Sequence, residues 1–163
     1  MTEQERAVHA ALGDLGITFE RYEHPPVASA VGAEAHWSGI DAVHTKNLFL
    51  QNRNSTRHHL VIVPLLKRAD MRAVSAHIGD GRLSFGTPEQ MMALLGITPG
   101  SVSPFGLIHD TTRAVHVWLD HELNTSRRIS FHPNINTATL VLAFADFERF
   151  LTSRGNPVGY LTP

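Results

Sequence analysis

The chain has 163 residues, of which 42% are hydrophobic and 18% charged, with 14 basic residues, 15 acidic residues and no cysteine. This composition predicts one globular domain, residues 1–163, and it excludes disulfides and cysteine-based catalysis. The formal net charge of -1 argues against a protein that coats nucleic acid through a broad positive field. The first residues lack a signal-peptide pattern and no apolar run is long enough to span a bilayer, so we expect a cytoplasmic protein without membrane contact.

The hydrophobic pattern predicts helices and strands that alternate without the regular rhythm of a doubly wound fold. The first helix is expected at 3–15, with Thr2 and Glu5 as a capping box, and an extended segment follows it. A loose helix is expected at 27–37, after two prolines. The later elements are strands at 45–51 and 58–63 joined as a hairpin, helices at 71–78 and 87–96, strands at 83–85, 114–119 and 139–144, and a helix at 146–154 opened by Asp146. We therefore expect an α+β domain with a mixed, curved β-sheet surrounded by helices.

Lys46 and Asn47 stand at the start of the apolar run 48–50. A lysine at a strand end is usually a solvated edge residue, but a buried amide must find hydrogen bonds or lie on an open face. The lysine beside it supplies a compact positive charge suited to a phosphate. The pair is equally consistent with a binding site and with a structural role.

The loop 99–106 contains two glycines and two prolines. Such a composition most often marks an ordinary turn. Glycine also allows a ligand to approach the main chain, and proline stiffens the loop so that its N–H groups stay in place. Fixed N–H groups at Gly100, Ser101 and Val102 would stabilise the oxyanion formed when an ester is hydrolysed.

His132 lies between Phe131 and Pro133, just before the polar residues Asn134 and Asn136. It is either a general base, a wall that limits the size of a pocket, or a structural residue. The proline and the amides indicate an ordered turn, which favours positioning over proton transfer. No HExxH metal motif, GxSxG serine elbow or phosphate-binding GxxxxGK[ST] loop occurs, so a metal site is not expected.

These segments resemble, in order and spacing, the YbaK and prolyl-tRNA synthetase-associated family of editing deacylases. The matching text runs from about residue 22 to 150 and includes His24-Pro25-Pro26-Val27, residues 44–50, 83–85, 95–96, 100–106, 119–120 and 131–139. The resemblance implies an aminoacyl-tRNA hydrolase that removes a wrong amino acid from tRNA(Pro) in trans. It also implies attack by water with help from the ribose 2′-hydroxyl of the substrate, without a protein nucleophile and with neither a metal nor an organic cofactor.

The resemblance assigns roles to particular residues. It implies that Lys46 holds the terminal phosphate and that Asn47 places the terminal nucleotide. The loop from Gly100 to Pro104, including Ser103, lines the aminoacyl pocket, and His132 helps to set its size. Ala28-Ser29-Ala30 replaces the bulkier residues usual in the family, so Ala30 is expected to line a roomier pocket.

The same resemblance favours the alanine-clearing branch, and alanyl-tRNA(Pro) is the expected substrate. Clearance of serine or cysteine, or of another mischarged tRNA, is the alternative within the family. A non-catalytic module that binds tRNA or a synthetase, or a plain structural domain, is the alternative outside it. The partner is expected to be the acceptor end of tRNA(Pro), and the weak overall charge suggests help from prolyl-tRNA synthetase or elongation factor. The oligomeric state is not readable from the sequence.

Overall fold

The computed structural model describes residues 1–26 and 37–162. The helices of this part of the chain are α1 (Glu3–Asp14), α2 (Met71–Ile78), α3 (Pro88–Leu95) and α4 (Phe144–Arg154), with 3-10 helices at Pro104–His109 and His121–Thr125. The strands are β1 (Glu20–Glu23), β2 (Val43–Gln51), β3 (His58–Pro64), β4 (Ser84–Phe85), β5 (Val115–Asp120), β6 (Arg128–Phe131), β7 (Ala138–Ala143) and β8 (Val158–Leu161).

The strands form one sheet in the order β1-β7-β6-β2-β3-β5-β8, with β4 added beside β2. Pairings of β2 with β6, β3 with β5 and β5 with β8 are parallel, and the others are antiparallel. The sheet is therefore mixed, and the predicted α+β class is confirmed. Within the described residues, no helix is long and apolar enough to cross a membrane.

The sheet has a well-covered core on each face. On the first face, alternate residues of the strands pack with α1, α3, α4 and the 3-10 helix Pro104–His109 around fully buried Phe105, Phe147 and Phe150. On the second face, α2 covers a smaller cluster that includes Leu50, Val61 and Val74. Residues of one strand alternate between these two cores because successive side chains of a strand point in opposite directions.

Local signals account for most of the elements. Thr87 accepts a hydrogen bond from the Gln90 N–H while the Gln90 side chain accepts one from the Thr87 N–H, so α3 begins with a complete capping box. At α1 only half of the expected box forms. Thr2 caps the Glu5 N–H, but the Glu5 carboxylate is buried and held by Arg21 and His9. Burial raises the pKa of Glu5, and hydrogen bonds from these two partners outweigh it and lower the pKa.

Other expectations need correction. Helix α4 begins at Phe144 without a side-chain cap, so Asp146 lies in its first turn and does not open it. Strands β6 and β8, of four residues each, were not expected because runs this short carry little periodicity. The loose helix expected at 27–37 falls, except for Trp37, outside the described residues.

Candidate functional site

The β2 strand carries Lys46 and Asn47 on opposite faces of the sheet. Lys46 shares the second face with His44, whereas Asn47 shares the first face with Phe49, a residue of the larger core. Both are partly exposed. In the described part of the chain, Lys46 forms no ion pair or hydrogen bond, and the buried Oδ1 of Asn47 has no donor. Both therefore offer polar groups that the folded protein leaves unused.

The loop from Gly100 to Pro104 lies on the first face, where Val102 packs against the larger core. Of its three candidate donors, the Ser101 N–H already donates to the Thr98 carbonyl at 3.2 Å. The N–H groups of Gly100 and Val102 have no acceptor among the residues that the structure describes. The loop thus retains two unused main-chain donors, as an oxyanion site requires.

Two residues of this loop region, Ser103 and Gly100, explain its shape. The Ser103 hydroxyl accepts a hydrogen bond from the Phe105 N–H and starts the 3-10 helix in which Pro104 is the first residue. Ser103 is completely buried, so its hydroxyl is held as a cap and has a structural function in this fold. Gly100 has φ of 91°, a left-handed conformation that side chains other than glycine rarely adopt.

His132 follows β6 and lies on the second face. Its Nδ1 lies 3.0 Å from the carbonyl oxygen of Ala138, which only accepts, so Nδ1 carries the proton and Nε2 keeps its lone pair. Burial lowers the pKa of His132, although the Ala138 carbonyl acts in the opposite direction. The ring is therefore neutral at neutral pH, with a hydrogen-bond acceptor at Nε2.

Aromatic and imidazole rings surround His132. The ring of Trp37 lies 5.7 Å from that of His132, and that of His24 lies 5.9 Å from it. Trp37 also stacks on His44, whose Nδ1 is 2.7 Å from the Ser130 hydroxyl. Burial lowers the pKa of His44 as well. These packed rings hold His132 in place, which fits a wall of a pocket.

The predicted residues meet at the end of β6. The pairing of His44 with Ser130 ends two residues before Lys46 on β2 and two residues before His132 on the other chain segment, so both follow this pair on the second face. On the other side, a Cβ atom at Gly100 would lie 3.8 Å from Nδ2 of Asn136, so the glycine loop touches the turn that follows His132. The site thus draws on both faces of the sheet. Ala30, expected to line the pocket, lies outside the described residues.

Asn134 is a residue of this region to which the sequence assigned only a turn. It is 4% exposed, has φ of 62°, and neither its Oδ1 nor its Nδ2 has a partner in the described structure. An unpaired buried amide costs about 1–3 kcal/mol per group, so it marks a place where stability is not optimised. The Pro133-Asn134 turn pointed to it, but burial was not readable from the sequence.

A groove with positive charge lies between α2 and β4 on the second face. The residues along it include Arg72, Ser75, Gly79, Arg82, Ser84 and Phe85. No carboxylate lines it, neither guanidinium has an acidic partner within the described residues, and Phe85 is 63% exposed. We call this surface the α2–β4 groove.

Several basic side chains outside the candidate site are bound to acidic or main-chain groups. Lys67 lies 2.7 Å from Asp120, Arg127 pairs with Asp41, and Arg128 pairs with Glu20. Arg113 donates to a main-chain carbonyl. Among the described residues, the cationic side chains without a partner are Lys46, Arg53, Arg68, Arg72 and Arg82. No group of three histidine or acidic side chains in residues 1–26 and 37–162 is placed to hold a metal ion.

In the part of the chain that the structure describes, the unused N–H donors of the glycine loop and the unpaired Lys46 of β2 are groups suited to an anionic ligand with a polarised carbonyl. Comparison with known proteins identifies the family. Residues 24–150 match the family model described as the aminoacyl-tRNA editing domain. The chain belongs to this family, and the predicted family and enzyme class, an aminoacyl-tRNA hydrolase, are confirmed.

The relatives agree with this assignment. The chain is 34% identical over 155 residues to the prolyl-tRNA editing protein ProX of Acetoanaerobium sticklandii, covering 94% of each chain. It is 34% identical over 139 residues to prolyl-tRNA synthetase associated domain-containing protein 1 of Danio rerio, covering 84% of this chain and 75% of that one. A solved structure assigned provisionally as a trans-editing enzyme for prolyl tRNA synthetase has the same fold, with a TM-score of 0.74 at 22% identity over 100% of this chain and 99% of that one.

Proposed function

We propose that this protein is a trans-editing deacylase that hydrolyses the ester of alanyl-tRNA(Pro). The observation that carries the proposal is a set of polar groups without a partner among the described residues: the Lys46 ammonium on the second face, and the N–H groups of Gly100 and Val102 on the first. Together these groups suit a phosphate and an ester oxyanion. The relative named as a prolyl-tRNA editing protein supports tRNA(Pro) as the carrier. Such a role in translation places the protein in the cytoplasm.

In the proposed reaction, the oxygen of a water molecule attacks the carbonyl carbon of the aminoacyl ester. The ribose 2′-hydroxyl of the substrate orients this water, accepts a proton from it as the new C–O bond forms, and donates its own proton to the leaving 3′-oxygen. Negative charge on the carbonyl oxygen is stabilised by the N–H groups of Gly100 and Val102. The C–O bond of the ester then breaks, and the products are alanine and tRNA with a free terminal hydroxyl. No protein nucleophile is needed.

Size selection explains why alanine is the proposed target. A synthetase pocket built for proline rejects the smaller alanine weakly, since one methylene is worth only ~1–3 kcal/mol. A second pocket that excludes proline and accepts alanine corrects the error. The buried His132, fixed by the Ala138 carbonyl and packed against Trp37, is the rigid wall that such a pocket needs.

The alternatives differ in what they leave unexplained. Clearance of serine or cysteine uses the same groups and differs only in pocket size, so direct assays decide it. A non-catalytic module that binds tRNA or a synthetase would use Lys46, but it gives no function to the two unused N–H donors of the glycine loop.

The α2–β4 groove supports a path for the nucleotides before the terminal adenosine. Phe85 lies opposite Leu50 in the pairing of β4 with β2, so it shares a face with Lys46, four residues or about 13 Å along the strand. An exposed aromatic ring beside unpaired arginines suits single-stranded RNA, because bases stack on the ring and phosphates pair with the guanidinium groups. We propose that the acceptor end lies in this groove, with prolyl-tRNA synthetase or elongation factor delivering the rest of the tRNA.

The test is a deacylation assay with purified protein on tRNA(Pro) charged in turn with alanine, serine, cysteine and proline. We expect rapid release of alanine and no release of proline. The Lys46→Ala variant should lose about 10- to 100-fold in kcat/KM, since a hydrogen bond to a charged group contributes about 1.5–3 kcal/mol.

The other lysine of the chain is the matched control. Lys67 is bound to Asp120 and lies outside the site, so Lys67→Ala should keep the wild-type rate once the fraction of folded protein is equal. Release of none of the four amino acids would refute the proposed activity and favour the binding module. Equal losses in the two lysine variants would remove Lys46 from the site.

A further inference from the structure

Strand β2 pairs with β3 along one edge, and its other edge pairs with a strand only at its two ends. β6 pairs with Val43 and His44, and β4 pairs with Leu50 and Gln51. Between them, that edge of β2 faces no strand in the described part of the chain, and we call this stretch the β4–β6 gap. The residues along this gap are more exposed than their neighbours in the strand. Lys46, Asn47 and Leu48 are partly exposed, whereas Thr45, Phe49 and Leu50 are buried.

The main chain of Asn47 faces this gap. The ladder with β3 is flanked by hydrogen bonds from the Leu65 N–H to the His44 carbonyl, 2.8 Å, and from the Asn52 N–H to the Arg57 carbonyl, 3.1 Å. Residues of an antiparallel strand alternate in the direction of their N–H and C=O groups, so odd-numbered residues of β2 turn away from β3. The bond from the Gly86 N–H to the Phe49 carbonyl at 2.8 Å agrees with this direction.

Both main-chain groups of Asn47 are therefore left open. The pairings of β4 and β6 stop short of this residue, and no loop or turn within residues 1–26 and 37–162 bonds to its N–H or C=O. A strand that presents a donor and an acceptor side by side on one edge binds any group with the complementary pair. The gap also lies between Lys46 on one face and the glycine loop on the other.

We propose that the N–H and C=O of Asn47 bind the base of the substrate's terminal adenosine; this inference rests on the proposed function. Adenine presents the required pair, a ring nitrogen that accepts and an exocyclic amino group that donates. The Asn47 N–H donates to the ring nitrogen N7 and its carbonyl accepts from the amino group. Guanine or hypoxanthine places an oxygen where the amino group stands, and that oxygen faces the carbonyl unfavourably.

This arrangement uses consecutive residues for two parts of one nucleotide. Lys46 reaches the phosphate on the second face, and the main chain of Asn47 holds the base at the edge of the sheet. The ester is then directed to the glycine loop on the first face. Since the main chain makes the contact, replacing the Asn47 side chain alone does not remove it.

The test compares alanyl-tRNA(Pro) molecules that differ only in the terminal base: adenine, 7-deazaadenine, unsubstituted purine and hypoxanthine. Relative to adenine, we expect kcat/KM to fall about 3- to 10-fold for the deaza and unsubstituted bases, each of which loses one neutral hydrogen bond. Hypoxanthine should fall further, because its oxygen opposes the Asn47 carbonyl. Cleavage of all four at the same rate would overturn the inference while leaving the deacylase activity established.

A substitution in the main chain tests the contribution of the Asn47 N–H by itself. Incorporation of the α-hydroxy analogue of asparagine at position 47 replaces the amide N–H with an ester oxygen. This protein should lose discrimination between adenine and 7-deazaadenine while keeping discrimination against hypoxanthine. The same replacement at Leu48, whose N–H turns towards β3, is the control and should lower stability without changing base preference. Unchanged discrimination with the ester at position 47 would assign the base to another group, and no cleavage of the adenine-ended substrate would refute the proposed function itself.

Discussion

Two polar clusters in this fold contain similar residue types and differ in how they are satisfied. In the first, the Trp118 indole N–H donates to Nδ1 of His59 at 3.0 Å, and Nε2–H of His59 donates to Asp80 at 3.0 Å. The second is the candidate site, where Lys46 has no partner and the Asn134 amide is unpaired within the described structure. Every bonding position of the His59 ring is used, whereas the candidate site leaves polar groups open.

This difference distinguishes polar groups that stabilise the fold from polar groups that remain available to a ligand. A complete network stabilises a fold and has nothing left to offer a ligand. An incomplete one costs free energy in the empty protein and recovers it when a ligand binds. His59 links the turn before β4 to β5 and contributes to stability, whereas we propose that the residues at the end of β6 bind the substrate. Substitutions in the two clusters should therefore affect different measurements.

The largest effect is expected at His59. His59→Ala removes the acceptor of the Trp118 N–H and the donor to the Asp80 carboxylate, which should lower the free energy of unfolding by roughly 2–4 kcal/mol. The activity per folded molecule should stay near that of wild type. Urea denaturation, followed by deacylation at a temperature where the variant is folded, measures both quantities.

His59→Gln is the informative companion, because its amide can still donate to Asp80 and should recover part of the loss. A large fall in activity of fully folded His59→Ala would contradict the distinction between the two clusters. It would mean that the turn held by Asp80 takes part in substrate binding.

His132→Ala should change selectivity more than rate. Removing the ring enlarges the pocket, so release of proline from prolyl-tRNA(Pro) should rise by about 10-fold or more relative to release of alanine. Release of alanine itself should change less. Rates on the two substrates under single-turnover conditions measure the ratio. A loss of rate on both substrates with an unchanged ratio would make His132 a general base, which its free Nε2 permits.

Much of the fold was predictable because its signals are local. The capping residues Thr87 and Asp70 marked the starts of two helices, and the polar turn at 52–55 marked the β2–β3 hairpin. The short strands β6 and β8 carry no such signal, since long-range pairing with β2, β7 and β5 stabilises them. The family resemblance supported the predicted fold class more strongly than the hydrophobic periodicity did.

The sequence predicted which residues belong to the candidate site, but it did not predict how they are arranged in space. Lys46 and Asn47 were recognisable from the polar start of an apolar strand. Their placement on opposite faces follows from the strand, but the gap between β4 and β6 depends on where two other strands stop. Asn134 was missed as a buried amide, because a polar residue in a turn is usually solvated. The side-chain assignments at the site stay predictions.

A smaller effect is expected at Gly100. Its φ of 91° is strained for alanine, although only Nδ2 of Asn136 lies near the added methyl group. Gly100→Ala should lower the free energy of unfolding by about 1–2 kcal/mol, or relax the loop and turn its N–H away from the ester. We expect a fall in kcat with little change in KM, because the N–H acts on the transition state. Gly16→Ala, at a φ of 68° outside both the site and the α2–β4 groove and with no atom within 4 Å of the added methyl group, is the matched control for strain alone and should leave kcat unchanged.

The smallest effect concerns pH and involves both parts of the molecule. Burial lowers the pKa of His44, His58, His116 and His132 below the ordinary value of 6.5. Below about pH 6.5 the unfolded chain therefore binds more protons than the folded protein, and stability falls as the pH decreases. Above that pH these four rings contribute no further change. Urea midpoints should be nearly constant from pH 8 to 7 and should decrease from pH 6.5 to 5.

The variant His132→Asn sharpens this last prediction, because it removes one of the titrating rings from the candidate site. Its stability should depend less on pH between 6.5 and 5 than that of wild type, and its m-value should be unchanged. A stability that rises on acidification would mean that the imidazoles gain protons on folding, against the effect of their burial. Glu5 adds a separate loss below about pH 4.5, since its lowered pKa makes protonation favour the unfolded chain. The loss of stability caused by the histidines and the loss caused by Glu5 are distinguishable, because Glu5→Gln should alter only the loss at the more acidic pH.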